Sequence, residues 1–141
     1  PLSVIPGSNR GELFSHYDDD GNWVGAVSDK DMATQDMEKI AGPTGPEGTV
    51  LALNCRTLHG SKSNATDKVR PILLYVYTSA DAFPWTYHPT LTGLSGEIVR
   101  GKAAEYPHMD PRPCPVPPDW SKTGYGSIFT SQEDGDDGGM M

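Results

Sequence analysis

Long apolar runs are missing from this 141-residue chain, in which no stretch approaches the ~20 consecutive apolar residues of a membrane-spanning helix. No charged-then-apolar leader of the secretory type opens it either. Basic residues are scarce: 11 Lys and Arg against 19 Asp and Glu leave a formal net charge of -8, so nucleic acid and anionic membrane are poor partners. Cysteine is nearly absent. Cys55 ends an apolar run and Cys114 sits among prolines, which suggests neither a zinc pattern nor a disulfide framework. The expectation is a cytoplasmic protein with reduced thiols, and acidity of this size identifies no ligand.

What is abundant is punctuation. Sixteen glycines and 13 prolines make the chain loop-rich, yet below the ~25–30% at which low complexity becomes the default. Leu2 to Ile5 reads as a short strand closed by Pro6-Gly7. Such an opening resembles the middle of a domain, and residues are expected upstream of Pro1. Trp23 to Val27 reads as another short strand. Ser28 with Asp31 forms a variant capping box before a helix expected over 29–40, with Ala33, Met37, Ile40 and Ala41 on one face.

Two better strand patterns follow. Residues 49–54 are apolar on both faces, as a buried strand would be, and residues 69–79 are rich in β-branched and aromatic side chains. Pro71 argues for an edge or a bulge near the start of the second. A weaker strand is expected at 97–100. Prolines crowd 107–121, which should be extended coil, and the acidic, glycine-rich end from Glu133 to Met141 reads as disordered. The expected domains are a barrel-type body over 1–106, a proline-rich extension packed on it over 107–132, and a disordered tail over 133–141. Short strands between Gly/Pro turns point to a mainly all-β sandwich or barrel with few short helices.

The informative stretch is 55–77, CRTLHGSKSNATDKVRPILLYVY. His59 stands at a strand end, followed by Ser61, Asn64 and then Arg70 at the opening of the next strand. Pro6-Gly7-Ser8-Asn9-Arg10 lies about fifty residues upstream, and Gly48-Thr49-Val50 leads into the strand before His59. Taken singly, a histidine in a polar turn or an arginine at a strand start is ordinarily structural. The combination resembles the phytanoyl-CoA dioxygenase-like (PhyH) family of Fe(II)/2-oxoglutarate-dependent dioxygenases, which includes the ectoine hydroxylases. The likeness covers about residues 1–85.

The resemblance implies a double-stranded β-helix, the cupin-like jelly roll, incomplete here at its N-terminal side. It implies an oxidoreductase that decarboxylates 2-oxoglutarate oxidatively and hydroxylates a substrate C–H. Iron would be held by a facial triad, an H-x-[DE] pair plus a distal histidine, with positions open for 2-oxoglutarate and dioxygen. His59 matches the distal histidine. Arg70 matches the arginine that grips the far carboxylate of 2-oxoglutarate, a role suited to a planar, permanently charged fork. Ser61 matches a serine sharing that carboxylate, and Asn64 reads as a turn residue holding the His59 loop. Tyr75, Tyr77, Phe83, Trp85 and Tyr87 are candidate pocket aromatics, with core or covering loop as the commoner role of each.

The sequence departs from the family pattern at Asn9, where a histidine is usual, and at the H-x-D pair. His16-Tyr17-Asp18 follows the Pro-Gly-Ser turn instead of preceding it, and His108-Met109-Asp110 follows the distal histidine. The pair therefore lies upstream of Pro1 or is His16/Asp18, and another chain is a candidate to complete the barrel. Two readings from other classes stay open. One is a non-catalytic jelly-roll remnant that binds a small acid or a protein. The other is a cupin-type metal enzyme using His16, Asp18 and His59 with a different cosubstrate. No residue pattern names a substrate or an oligomeric state.

Overall fold

Leu2–Val4 (β1) and His59–Ser61 (β2) pair as antiparallel strands in the computed structural model, which describes residues 2–86 and 91–125. The chain forms two compact units that divide after Arg70.

In the first unit, residues 2–70, the register matches Leu2 with Ser61, Ser3 with Gly60 and Val4 with His59. Val4 turns its own N–H and C=O the other way, exchanging 2.9 Å hydrogen bonds with Ala41. The Val4–His59 pair is therefore the non-hydrogen-bonded kind, in which facing side chains approach most closely. Side chains alternate across a strand, so the pairing sorts them into two faces. Ile5 and Leu58 belong to the inner one and form the core with Val27 and Met32, against which Phe14 packs. His59 and Ser61 belong to the other.

The α-helix starts where the capping chemistry places it. Ser28 accepts the N–H of Asp31 at 3.1 Å and donates to the Asp31 carboxylate at 2.9 Å, capping α1, Asp29–Met32. The expected helix over 29–40 does not run through. Thr34 bonds back to the carbonyl of Asp31 at 2.6 Å, and Asp36 caps a separate 3-10 turn over Met37–Lys39. Serine, threonine and aspartate compete for backbone groups in this way and divide a helix. The buried side chain is Met32, whereas Met37 and Ile40, placed on the inner face by periodicity, are exposed.

Neither of the two strong strand patterns is a strand. Residues 49–54 and 69–79 belong to no ladder, and their apolar side chains are largely exposed, Val50 and Val76 at 90%. A strand is a property of a pair: without a partner for its N–H and C=O groups, a β-prone segment has no ladder to join. Trp23 to Val27 is likewise no strand, and contributes one isolated bridge, Tyr17 with Trp23.

The described residues of the second unit, 71–86 and 91–125, contain one helix, α2 at Trp120–Thr123, capped by Asp119 through the N–H of Ser121. Residues 97–100 form no strand, and 107–119 contain neither helix nor strand. Tyr87 and the acidic end 133–141 lie outside the described residues. Across the described residues, helix is sparse and the sheet small, compatible with the expected β class but short of a closed barrel. No helix among them is long and apolar enough to cross a membrane.

Candidate functional site

The order H-G-S on β2 has a direct consequence: residues two apart share a face, so His59 and Ser61 lie on one side of the strand and buried Gly60 on the other. His59 is half-buried. Its Nδ1 lies 2.7 Å from the carbonyl oxygen of Thr57. A carbonyl only accepts, so Nδ1 carries the proton, and in the neutral ring Nε2 keeps its lone pair. Histidine ligands are commonly held this way, by a second hydrogen bond that selects the tautomer and orients the ring.

Ser61 meets Arg70 at 3.5 Å, the guanidinium Nη2 reaching toward the hydroxyl. A tight turn makes this approach possible. Asn64 donates to the carbonyl of Lys68 at 2.7 Å and accepts from the N–H and hydroxyl of Thr66 at 3.2 and 2.8 Å. Asn64 is thus a turn residue, as its sequence context suggests, but its bonds fold the chain back toward Arg70 and do not reach His59. Among the described residues no carboxylate pairs with Arg70. A serine hydroxyl beside an arginine fork is a suitable anchor for one end of a carboxylic acid. Both side chains are exposed.

The loop before His59 is tied to the Pro6-Gly7-Ser8 turn by two long-range bonds. The Leu58 N–H donates to the Ser8 hydroxyl at 2.8 Å, and Arg56 Nη2 donates to the carbonyl of Gly11 at 2.9 Å. Gly7 has φ +86°, the left-handed conformation that glycine adopts without strain. Sequence reasoning flagged the Pro-Gly-Ser turn but missed its link to His59; the signal was the turn itself.

The two H-x-D strings are engaged locally. His16 is half-buried, with its ring 5.3 Å from that of Trp23, and burial pushes its pKa below the usual 6.5. The Asp18 carboxylate accepts the backbone N–H of Asn22 at 2.7 Å, the Asn22 amide at 3.1 Å and the N–H of Asp20 at 3.0 Å. The Asn22 backbone bond is the main cause of its lowered pKa. Asp110 is held by Arg112 through two bonds, at 3.0 and 2.7 Å. No group of three or more His, Cys, Asp or Glu among the described residues could hold a metal ion. The fit to an iron site is therefore partial: a histidine whose Nε2 is not engaged by the Thr57 bond is here, and among the described residues the other two positions of a triad are not assembled.

Tyr75, Tyr77, Phe83 and Trp85 are all exposed. Cys55 and Cys114 are free and exposed.

Comparison with known proteins agrees with the motif. The family model described as Phytanoyl-CoA dioxygenase (PhyH) matches residues 1–72. A probable alpha-ketoglutarate-dependent hypophosphite dioxygenase of Stutzerimonas stutzeri is 32% identical over 137 residues, covering 93% of this chain and 46% of that protein. The ectoine dioxygenase of Sphingopyxis alaskensis is 32% identical over 89 residues, 56% of this chain and 29% of its own length. That of Stutzerimonas stutzeri strain A1501 is 27% identical over 96 residues, 57% of this chain and 30% of its own. The chain thus spans less than half the length of each of these relatives. No solved structure matches significantly. With the family model covering the Pro-Gly-Ser turn, His59, Ser61 and Arg70 together, the chain belongs to the phytanoyl-CoA dioxygenase (PhyH) family.

Proposed function

We propose that this chain is the C-terminal part of an Fe(II)/2-oxoglutarate-dependent dioxygenase acting on a small molecule, in which His59 is a metal ligand and Arg70 and Ser61 hold 2-oxoglutarate. One observation carries the reading: His59, its Nδ1 held by the Thr57 carbonyl, lies on the same face of β2 as Ser61, and Arg70 approaches that serine at 3.5 Å. Family membership supports it, as do relatives described as alpha-ketoglutarate-dependent hypophosphite dioxygenase and ectoine dioxygenase.

In this reading the guanidinium of Arg70 pairs with the far carboxylate of the cosubstrate and the Ser61 hydroxyl donates to it. The Thr57 carbonyl holds the His59 ring so that Nε2 faces the metal. When bound, Fe(II) would activate dioxygen, the oxidant that couples decarboxylation of 2-oxoglutarate to oxidation of the substrate. The jelly roll is the architecture that the family implies. The remaining metal ligands are not assembled among the described residues, and a segment beyond this sequence or a second chain completing the barrel would supply them; the turn bonds holding Asp18 weigh against His16/Asp18.

A second reading is favoured by the lack of a three-ligand cluster among the described residues. In it the chain is a non-catalytic jelly-roll remnant that binds a small acid through Arg70 and Ser61. Anaerobic calorimetric titration of 2-oxoglutarate in the presence of Mn(II) separates the two. Metal-dependent binding that is lost in both His59→Ala and Arg70→Ala supports the dioxygenase. Binding that needs Arg70 but neither metal nor His59 supports the remnant, and binding indifferent to both substitutions removes the site assignment.

A further inference from the structure

We propose that Ser8 is a positioning residue for His59 and acts through the Thr57–Leu58 peptide unit, an inference that deepens the metal-ligand reading and rests on it for its function. The argument starts from an irregularity in the ladder. Ile5 and Leu58 stand where β1 and β2 would continue, and Ile5 donates its N–H to the carbonyl of Leu58 at 2.9 Å. In a regular antiparallel pair the N–H of Leu58 would return the bond to the carbonyl of Ile5. Instead the Ser8 hydroxyl is inserted: it accepts the Leu58 N–H at 2.8 Å and donates to the Ile5 carbonyl at 2.7 Å.

The direction of this relay is fixed. The Ile5 carbonyl cannot donate, so the single hydroxyl hydrogen of Ser8 points to it and a lone pair faces Leu58. The N–H of Leu58 and the carbonyl of Thr57 belong to one peptide unit, and no peptide bond among the described residues is cis. A trans peptide is planar, with its N–H and C=O directed oppositely. What holds the N–H at one edge therefore aims the carbonyl at the other, and that carbonyl accepts the Nδ1–H of His59 at 2.7 Å.

The bonds run head to tail from the imidazole through Thr57–Leu58 and Ser8 to Ile5, so each polarises the next in the same sense. The ring is thereby kept in the tautomer that leaves Nε2 bare. Gly7 makes the geometry possible, because its left-handed backbone turns Ser8 back toward Ile5, whose carbonyl also accepts the Ser8 N–H at 3.2 Å.

Nitrogen NMR of the histidine rings in the metal-free protein, at a pH where His59 is neutral, tests this without recourse to activity. The wild type should show a protonated Nδ1 and a bare Nε2 at His59. Ser8→Ala should give a mixture of tautomers and weaken Mn(II) binding about 10-fold, while Ser8→Thr, which keeps the hydroxyl, should retain the wild-type pattern. A folded Ser8→Ala protein with unchanged His59 ring nitrogens overturns the proposal. If Ser8→Ala does not fold, Ser8→Cys, similar in shape but a much weaker acceptor, is read by the same criterion. A tautomer that responds to Ser8, in a protein whose Mn(II) binding is untouched by His59→Ala, supports the relay while defeating the metal-ligand reading.

Discussion

The Arg70 guanidinium reaches the Ser61 hydroxyl at 3.5 Å across nine residues of chain, because the Asn64 turn between them folds back on Lys68. Two polar groups of the kind that can bind a carboxylate thus come together. Arg70→Ala should weaken 2-oxoglutarate binding about 10- to 100-fold, the equivalent of losing charge-assisted hydrogen bonds of ~1.5–3 kcal/mol. Arg70→Lys should recover only part of this, since a point charge replaces a bidentate fork. The exposure of both side chains argues for the smaller end of the range. Calorimetry measures it, and equal affinities for wild type and Arg70→Ala would show that the acid binds elsewhere.

Leu58 lies directly before His59 and is one of the few buried apolar side chains. Leu58→Ala should destabilise the first unit by about 2–4 kcal/mol, from lost burial and the cavity left behind. Urea denaturation reads the loss; the exposed Leu73 serves as control, and its alanine variant should change stability by less than ~0.5 kcal/mol.

Gly7 has open space around the position a Cβ would occupy, yet its φ is +86°. Gly7→Ala should therefore cost about 1–2 kcal/mol through the backbone alone. Thermal unfolding checks it, and a neutral substitution would mean that the turn relaxes to a negative φ.

His16 has a pKa below its ordinary 6.5 because burial disfavours the imidazolium. The unfolded chain then binds the proton more readily than the folded one. Stability from this group is fully present above about pH 6.5 and is lost as pH falls below it. His16→Phe, which keeps a ring beside Trp23 without a titration, should shrink the fall in Tm between neutral and mildly acidic pH. An identical fall in both proteins would place the acid sensitivity in other groups.

The amino-acid sequence by itself determined the local devices and the family. The Ser28–Asp31 cap, the Pro6-Gly7 turn and the Asn64 turn are legible because donor and acceptor lie within a few residues of each other. The motif linking His59, Ser61 and Arg70 is legible as a pattern, and the two-residue period of a strand accounts for His59 and Ser61 sharing a face. Tertiary structure decided what depends on distant partners. It buried Met32 in place of Met37 and Ile40, and left residues 49–54 and 69–79 without a ladder despite their strong β character. It also brought Ser8 to the N–H of Leu58 across 50 residues. A hydroxyl's partner at that separation is set by how the chain folds back, which no local preference encodes.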